Sequence, residues 1–147
     1  MDLKNTKGIK KDSDFRKVYK HGKSFANKYL VMYILDNKSD FSRVGFSVSK
    51  KVGKANVRNL YKRRLREIVR KNMHHIKPGC DLIILTRVPV TELGYQELEK
   101  NVKYLLRKSG VWIDWFFYQR LSEKDTAWIN RILQKIFVCF KNCFNIN

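Results

Sequence analysis

The sequence predicts an α+β or α/β sandwich, in which helices pack against a small sheet. After residue 43 the periodicity of apolar residues alternates between strand, helix, strand and helix. Hydrophobic residues make up 44% of the 147 positions and aromatic residues 13%, too many for a disordered basic tail. At residue 110 the composition becomes densely aromatic. We therefore expect one compact domain over residues 12–109 and an added extension over residues 110–147.

The N-terminal part of the chain combines a basic arm with a short helix. Residues 1–11 are polar and rich in lysine, and we interpret them as a mobile arm. Phe15, Val18 and Tyr19 then form one apolar stripe, and Gly22 is suited to end the helix. A helix this short needs packing against the rest of the domain to be stable.

Strand patterns follow, of which the first, over residues 24–26, is weak. Residues 29–35 are rich in β-forming residues and apolar on both faces. Residues 43–49 alternate, with Val44, Phe46 and Val48 on one face and small or polar residues on the other. We assign Phe46 to the core. The small face would allow a flexible nucleic acid to approach the strand closely.

The second half of the domain is predicted to contain a helix, a strand and a helix. The periodicity predicts a basic helix over 56–73, a buried strand over 81–87 and an amphipathic helix over 91–108. Beyond residue 110 an aromatic run precedes a second helical stripe. This extension is expected to be helical, and its role is left open between an extra layer, self-association, an interfacial membrane helix and a disordered end.

The stretch over residues 50–71 has the strongest functional pattern. It carries ten Lys and Arg against a single acid, Glu67. A helix here would hold an apolar stripe on the core and turn a cationic face to a phosphate backbone. The apolar stripe consists of Val57, Leu60, Tyr61, Leu65, Ile68 and Val69, and we assign Val57 to the core. Asn59, Lys62, Arg63, Arg66 and Arg70 fall on the opposite face.

The overall charge also indicates a polyanionic partner. The chain has 32 Lys and Arg against 13 Asp and Glu, a net charge of +19, and nucleic acid is the leading candidate. Neither a secretory signal near the start nor an apolar run of membrane-spanning length is found. We therefore expect a cytoplasmic protein with reduced thiols and no membrane span.

The residues that would support catalysis by the protein itself are sparse. The acids are scattered, and His21, His74 and His75 form no convincing acid–base pair. Cys139 and Cys143 are four residues apart but lack two further metal ligands at suitable spacing. We therefore expect neither a catalytic residue nor a metal site in the protein, which argues against a nuclease that acts alone.

The central run from Arg43 to Ala55, followed by Val57-Arg58-Asn59 and residues 62–67, resembles the protein component of bacterial ribonuclease P. Residues 14–24 are similar to the first helix of that family, and residues 77–84 to its last strand. The resemblance covers about residues 7–109. The combination of these motifs is specific, whereas any one of them alone is not.

The resemblance implies a fold and a function. The fold is a compact two-layer α–β sandwich with a four-stranded sheet and a left-handed β-α-β crossover through the basic helix, similar to a ribosomal-protein domain. In this family the RNA subunit is the catalyst, uses its own Mg²⁺ ions and removes the 5′ leader of precursor tRNA. The protein binds the catalytic RNA and the leader. A ribosomal-type structural RNA-binding protein is the alternative.

The resemblance also implies two sets of site residues. The leader would lie on aromatic rings, with small serines of the strand face beside them; those rings would otherwise be plain core. Leu60 departs from the Arg-Asn-Arg signature of the family at its third position, and no role is implied for the extension. The leader-binding residues are Phe15, Tyr19, Tyr33, Ser47 and Ser49. The residues that would bind the catalytic RNA are Lys50, Lys51, Lys54, Arg58, Asn59, Lys62, Arg63, Arg66 and Arg70.

Overall fold

The part of the chain that the structure describes forms a five-stranded sheet with three α-helices packed on it. The computed structural model describes residues 6–114. Short 3₁₀ turns at Lys50–Val52, Met73–His75 and Val88–Glu92 connect some of the elements. The elements in chain order are β1 (Thr6–Gly8), α1 (Asp12–His21), β2 (Lys23–Ala26), β3 (Leu30–Asp36), β4 (Ser42–Val48), α2 (Ala55–Lys71), β5 (Cys80–Thr86) and α3 (Tyr95–Lys108).

The sheet is mixed, with the strand order β1-β4-β5-β3-β2. Strand β4 pairs in parallel with β1 and with β5, whereas β3 pairs antiparallel with β2 and with β5. Because β4 and β5 are parallel neighbours, the chain crosses over between them through the basic helix α2. The predicted α+β fold and the crossover helix are thus confirmed, and the left hand of the crossover stays a prediction.

The fifth strand lies in the segment that the sequence predicted as a mobile arm. Thr6–Gly8 pair with Ser42–Val44, and the Ile9 amide donates a hydrogen bond of 3.0 Å to the carbonyl of Val44. Ile9 is buried, which anchors the end of the strand. Three residues are too few to show a period, and the pairing depends on the edge of β4, so the sequence pattern did not reveal it. Residues 1–5 lie outside the described residues.

The two faces of the sheet carry different layers. Met32, Val44 and Leu82 point to the larger apolar core, which α2 and α3 cover. The alternate residues point to the other face, where Ile83 packs with Ile9 and with Val18 of α1. Helix α1 contacts β3 and β5 on this face, and the sheet surface beside it is where the resemblance implies a leader-binding cleft.

The predicted helix over 91–108 begins later than expected. Pro89 lies in a 3₁₀ turn, and α3 starts at Tyr95, where the Glu97 carboxylate accepts a hydrogen bond of 3.1 Å from the Gly94 amide.

Phe46 and Val57 are half-buried and pack against the larger core. Within residues 6–114, no helix is long and apolar enough to cross a membrane. The predictions for residues 115–147, including self-association, lie outside the described residues.

Candidate nucleic-acid interface

Helix α2 presents its cations on the side that faces away from the core. Tyr61, Leu65, Ile68 and Val69 are buried, at spacings of three and four residues. The predicted RNA-binding residues Asn59, Arg63, Arg66 and Arg70 are exposed, and Lys62 is half-buried. The amphipathic division predicted from the sequence is therefore present, and contact with RNA stays a prediction.

Leu60 does not belong to the apolar stripe to which the sequence assigned it. It is 43% exposed and lies among the outward residues of α2. A helix turns about 100° per residue, so Leu60 lies about 100° from the buried Tyr61 and outside the contact with the core. An exposed leucine thus occupies the third position of the Arg-Asn-Arg signature, where the family has an arginine.

Arg58 differs from the other cations of α2 because it is half-buried against the domain. Its Nε atom is buried and has no hydrogen-bond partner within the described residues. A buried donor left without a partner costs about 1–3 kcal/mol. Because this atom is closed to solvent, a contact of Arg58 with a phosphate would use the other two guanidinium nitrogens.

Three further predicted cations lie in the connection that leads into α2. Lys50 and Lys51 belong to a 3₁₀ turn, Lys54 precedes the first residue of α2, and all three are exposed. Gly53 has a φ of 150°, a conformation that side chains disfavour, and it turns the chain into the helix. The hydroxyl of Ser49 accepts a hydrogen bond of 3.3 Å from the Lys51 amide, so it caps this turn.

One acid is placed within the cationic face. The Glu67 carboxylate pairs with Arg70 at 2.8 Å, and Lys71 lies 4.0 Å from it. The hydrogen bond from Arg70 lowers the pKa of Glu67, and the same bond raises the pKa of Arg70. Arg70 would therefore share its charge between Glu67 and a phosphate, whereas Arg63 and Arg66 have no such partner within residues 6–114.

The three aromatic residues assigned to the leader lie together on the other face of the sheet. The rings of Tyr19 and Tyr33 meet edge to face, with centroids 4.9 Å apart. The ring of Phe15 lies 6.3 Å from that of Tyr19 and packs against Gly45 of β4. Tyr19 is 38% exposed, whereas Phe15 and Tyr33 are half-buried. The group is thus part core and part surface, with Tyr19 the most accessible ring.

The two serines lie farther along the sheet. Tyr33 and Gly45 flank Ile83 in one row across the sheet, and Ser47 lies beside Leu85 in the next row. Residues two apart on a strand are separated by about 7 Å and point to the same face, so Ser47 lies on the α1 side of the sheet, beyond the rings. Ser49 lies past the end of β4, and its hydroxyl already caps the turn that follows.

A charged network that the sequence analysis missed holds α1 against the sheet. Arg43 of β4 donates from Nε to the Asp81 Oδ1 atom at 2.8 Å, and from Nη1 to the Asp14 Oδ2 atom of α1 at 3.1 Å. Asn37 donates a further bond of 2.8 Å to Asp81. The Asp81 side chain is only 2% exposed. The signal available in the sequence was Asp81, a charged residue at the start of a strand predicted to be buried, which would need a charged or hydrogen-bonding partner.

The network controls the ionisation of Asp81. Burial alone would raise the pKa of this carboxyl group, but the hydrogen bonds from Arg43 and Asn37 outweigh burial, and the pKa is lowered. Asp81 is therefore a carboxylate at neutral pH and keeps Arg43 in place. Among residues 6–114, no group of three or more His, Cys, Asp or Glu is arranged to hold a metal ion.

Comparison with known proteins agrees with this arrangement. A family model described as Ribonuclease P matches residues 3–110. The ribonuclease P protein component of Clostridioides difficile (strain 630) is 56% identical over 112 residues, which cover 76% of this chain and 98% of that protein. The ribonuclease P protein component of Alkaliphilus oremlandii (strain OhILAs) is 46% identical over 109 residues, covering 74% of this chain and 96% of that protein.

Solved structures of the same kind of protein share the fold. The RNase P protein of Staphylococcus aureus has a TM-score of 0.68 at 36% identity, covering 72% of this chain and 97% of that one. The RNase P protein from Thermotoga maritima has a TM-score of 0.63 at 33% identity, covering 69% of this chain and 96% of that one. The chain therefore belongs to the ribonuclease P protein family, the non-catalytic protein subunits of a tRNA-processing ribonucleoprotein.

Proposed function

We propose that the protein joins two RNA molecules through two chemically different surfaces, one on each side of its sheet. The cationic face of α2 and the turn before it bind the catalytic RNA of ribonuclease P. The cleft beside α1 binds the 5′ leader of precursor tRNA, which is then removed in the cytoplasm. The single observation that carries this proposal is the separation of the surfaces, with the cations on α2 and the aromatic group on the α1 side.

The chemistry of each surface suits its proposed partner. Exposed arginines contact phosphates whatever the sequence, and each contact releases condensed counterions, so binding depends strongly on salt. Aromatic rings stack on any base, because every base has a π-face, and each stacked base contributes about 1–3 kcal/mol. Leaders differ in sequence between tRNAs, so stacking on Tyr19 would tolerate them.

The chemical step is assigned to the RNA subunit and its Mg²⁺ ions. The protein contributes binding energy and lowers the repulsion between two polyanions that must lie side by side. The residues proposed for contact are amines, guanidinium groups, hydroxyls and aromatic rings, which position RNA but provide no general base poised near neutral pH.

Reconstitution tests the proposal against its alternative. The protein, a bacterial ribonuclease P RNA and low-millimolar Mg²⁺ should together cleave precursor tRNA where the RNA alone is slow. A ribosomal-type structural protein would bind RNA without accelerating cleavage. Cleavage by the protein with no RNA present would rule out the assignment of catalysis to the RNA.

A further inference from the structure

Helix α3 carries a second cationic surface, which belongs to neither of the proposed RNA sites. From Lys100 to Lys108 the helix contains four cations and no acid. Tyr104 lies in the middle of this stretch and is 54% exposed, the largest exposed fraction of any large hydrophobic residue in the described part of the chain. An exposed ring among cations is the composition of a single-stranded nucleic-acid contact.

The helical geometry gathers these residues on one side of α3. At about 100° per residue, Lys100 and Lys108 flank Tyr104 at about 40° on either side. The Lys108 Nζ atom lies 5.8 Å from the centroid of the Tyr104 ring. Leu98, Val102, Leu105 and Leu106 are buried on the opposite side. The ring and its two lysines therefore point away from the sheet.

The other two cations of the stretch contact residues outside it. The Lys103 Nζ atom pairs with the Glu99 Oε1 atom at 2.7 Å. The Arg107 guanidinium lies 4.7 Å from the centroid of the Trp112 ring. Lys100 and Lys108, in contrast, form no ion pair within residues 6–114. These two lysines are the charges available to a partner.

The helix dipole accounts for only part of this arrangement. Cations in the last turn of a helix interact favourably with its dipole, and this explains Arg107 and Lys108. Lys100 lies two turns earlier, where the effect has faded. The dipole also gives no reason for a large ring to stay in water between two lysines.

We propose that Lys100, Tyr104 and Lys108 form a third RNA contact, in which the ring stacks on one unpaired base and the lysines contact the phosphates on either side. The backbones of the two lysines are about 12 Å apart along the helix, and their long side chains can bend towards phosphates on either side of the ring. This inference rests on the proposed function insofar as the partner is an RNA of ribonuclease P. We assign the base to the catalytic RNA, because α3 packs beside α2 on the same side of the sheet, opposite the aromatic group beside α1.

Charge and ring are removed separately in the test. Tyr104→Ala removes the ring, Tyr104→Phe keeps it, and the double variant K100Q/K108Q removes two charges. The control K7Q/K38N removes two exposed cations outside all the proposed sites, with asparagine at residue 38 because its φ is 54°. The affinity for the catalytic RNA, and the affinity of the holoenzyme for precursor tRNA, are measured over a salt series.

Tyr104→Ala should weaken binding to the catalytic RNA about tenfold, and Tyr104→Phe should retain that binding. K100Q/K108Q should lower the salt slope for the same RNA by about 1.4, and the control by much less. An effect confined to the affinity for precursor tRNA would contradict the assignment to the catalytic RNA. If K100Q/K108Q and the control lowered the salt slope equally, the lysines of α3 would contribute only through the net charge of the protein. That result would overturn the inference.

Two further outcomes would contradict the third RNA contact. A change of sedimentation in Tyr104→Ala without any change in RNA binding would assign the surface to a protein contact instead. The variant R63Q/R66Q of α2 separates this inference from the proposed function. If that variant loses affinity for the catalytic RNA and the α3 variants lose none for either RNA, only the third contact is refuted.

Discussion

The ring of Phe15 occupies the space that a side chain at Gly45 would need. A Cβ atom at residue 45 would lie 2.8 Å from Cζ of Phe15 and 3.3 Å from Cβ of Ile9. Such distances are shorter than normal van der Waals contact, so the glycine sets how closely α1 approaches β4. The position of a proposed leader-binding ring thus depends on the absence of one methyl group in the neighbouring strand.

Gly45→Ala should therefore displace Phe15 and weaken the cleft. Overpacking of this kind costs about 1–3 kcal/mol of folding free energy, which urea denaturation measures. The holoenzyme with this variant should lose affinity for precursor tRNA while it keeps its affinity for mature tRNA. Gly8→Ala is the matched control, because a Cβ there meets no atom within 4 Å. If Gly45→Ala and Gly8→Ala gave the same stability and the same affinity for precursor tRNA, the packing of Phe15 against Gly45 would be unimportant for leader binding.

Asp81 should make the protein sensitive to acid. Its pKa is lowered in the folded state, so the stability it contributes is fully present above its unfolded pKa of about 3.8 and is lost as the pH falls through the folded pKa. Asp81→Asn should cost about 3 kcal/mol at pH 7, because Arg43 loses a buried partner. The free energy of unfolding of this variant should vary less with pH below 4.

The exposed pair Lys28–Glu92 provides the control for Asp81. Both side chains are more than half exposed, and the Nζ–Oε2 distance is 3.3 Å. Glu92→Gln should change the free energy of unfolding by less than about 1 kcal/mol. A cost for Glu92→Gln as large as that for Asp81→Asn would contradict the central role assigned to the Arg43 network.

The cations of the α2 face should contribute to the salt dependence of binding to the catalytic RNA. The double variant R63Q/R66Q should lower the slope of log affinity against log salt concentration by roughly one unit per lost phosphate contact. Both side chains are exposed, so the fold should be unaffected. An unchanged slope, compared with the control K7Q/K38N, would mean that this face is merely solvated.

The sequence predicted the elements with strong periodicity well. The basic helix was expected over 56–73 and runs over Ala55–Lys71, because its apolar residues recur over several turns. Leu60 was misassigned, since a residue at the edge of a stripe matches the period whether or not it reaches the core. The strand Thr6–Gly8 was missed, because pairing with β4 rather than local preference forms it.

The candidate site was predictable only in part, for a related physical reason. The aromatic residues Phe15, Tyr19 and Tyr33 were named from the resemblance, and their proximity depends on the packing of α1 on β3. The pairing of Arg43 with Asp81 joins residues 38 positions apart, so no local pattern contains it. Register across the sheet brings such residues together, and it becomes visible only in the structure.

The most direct test of the account compares a variant of each surface in the same two assays. R63Q/R66Q alters the α2 face, and Y19A/Y33A alters the cleft. One assay measures the affinity of the protein for the catalytic RNA, and the other the affinity of the holoenzyme for precursor tRNA relative to mature tRNA. We expect the α2 variant to weaken only the first and the cleft variant to weaken only the second. If each variant weakened both affinities by the same factor, the division of labour between the two faces of the sheet would be wrong.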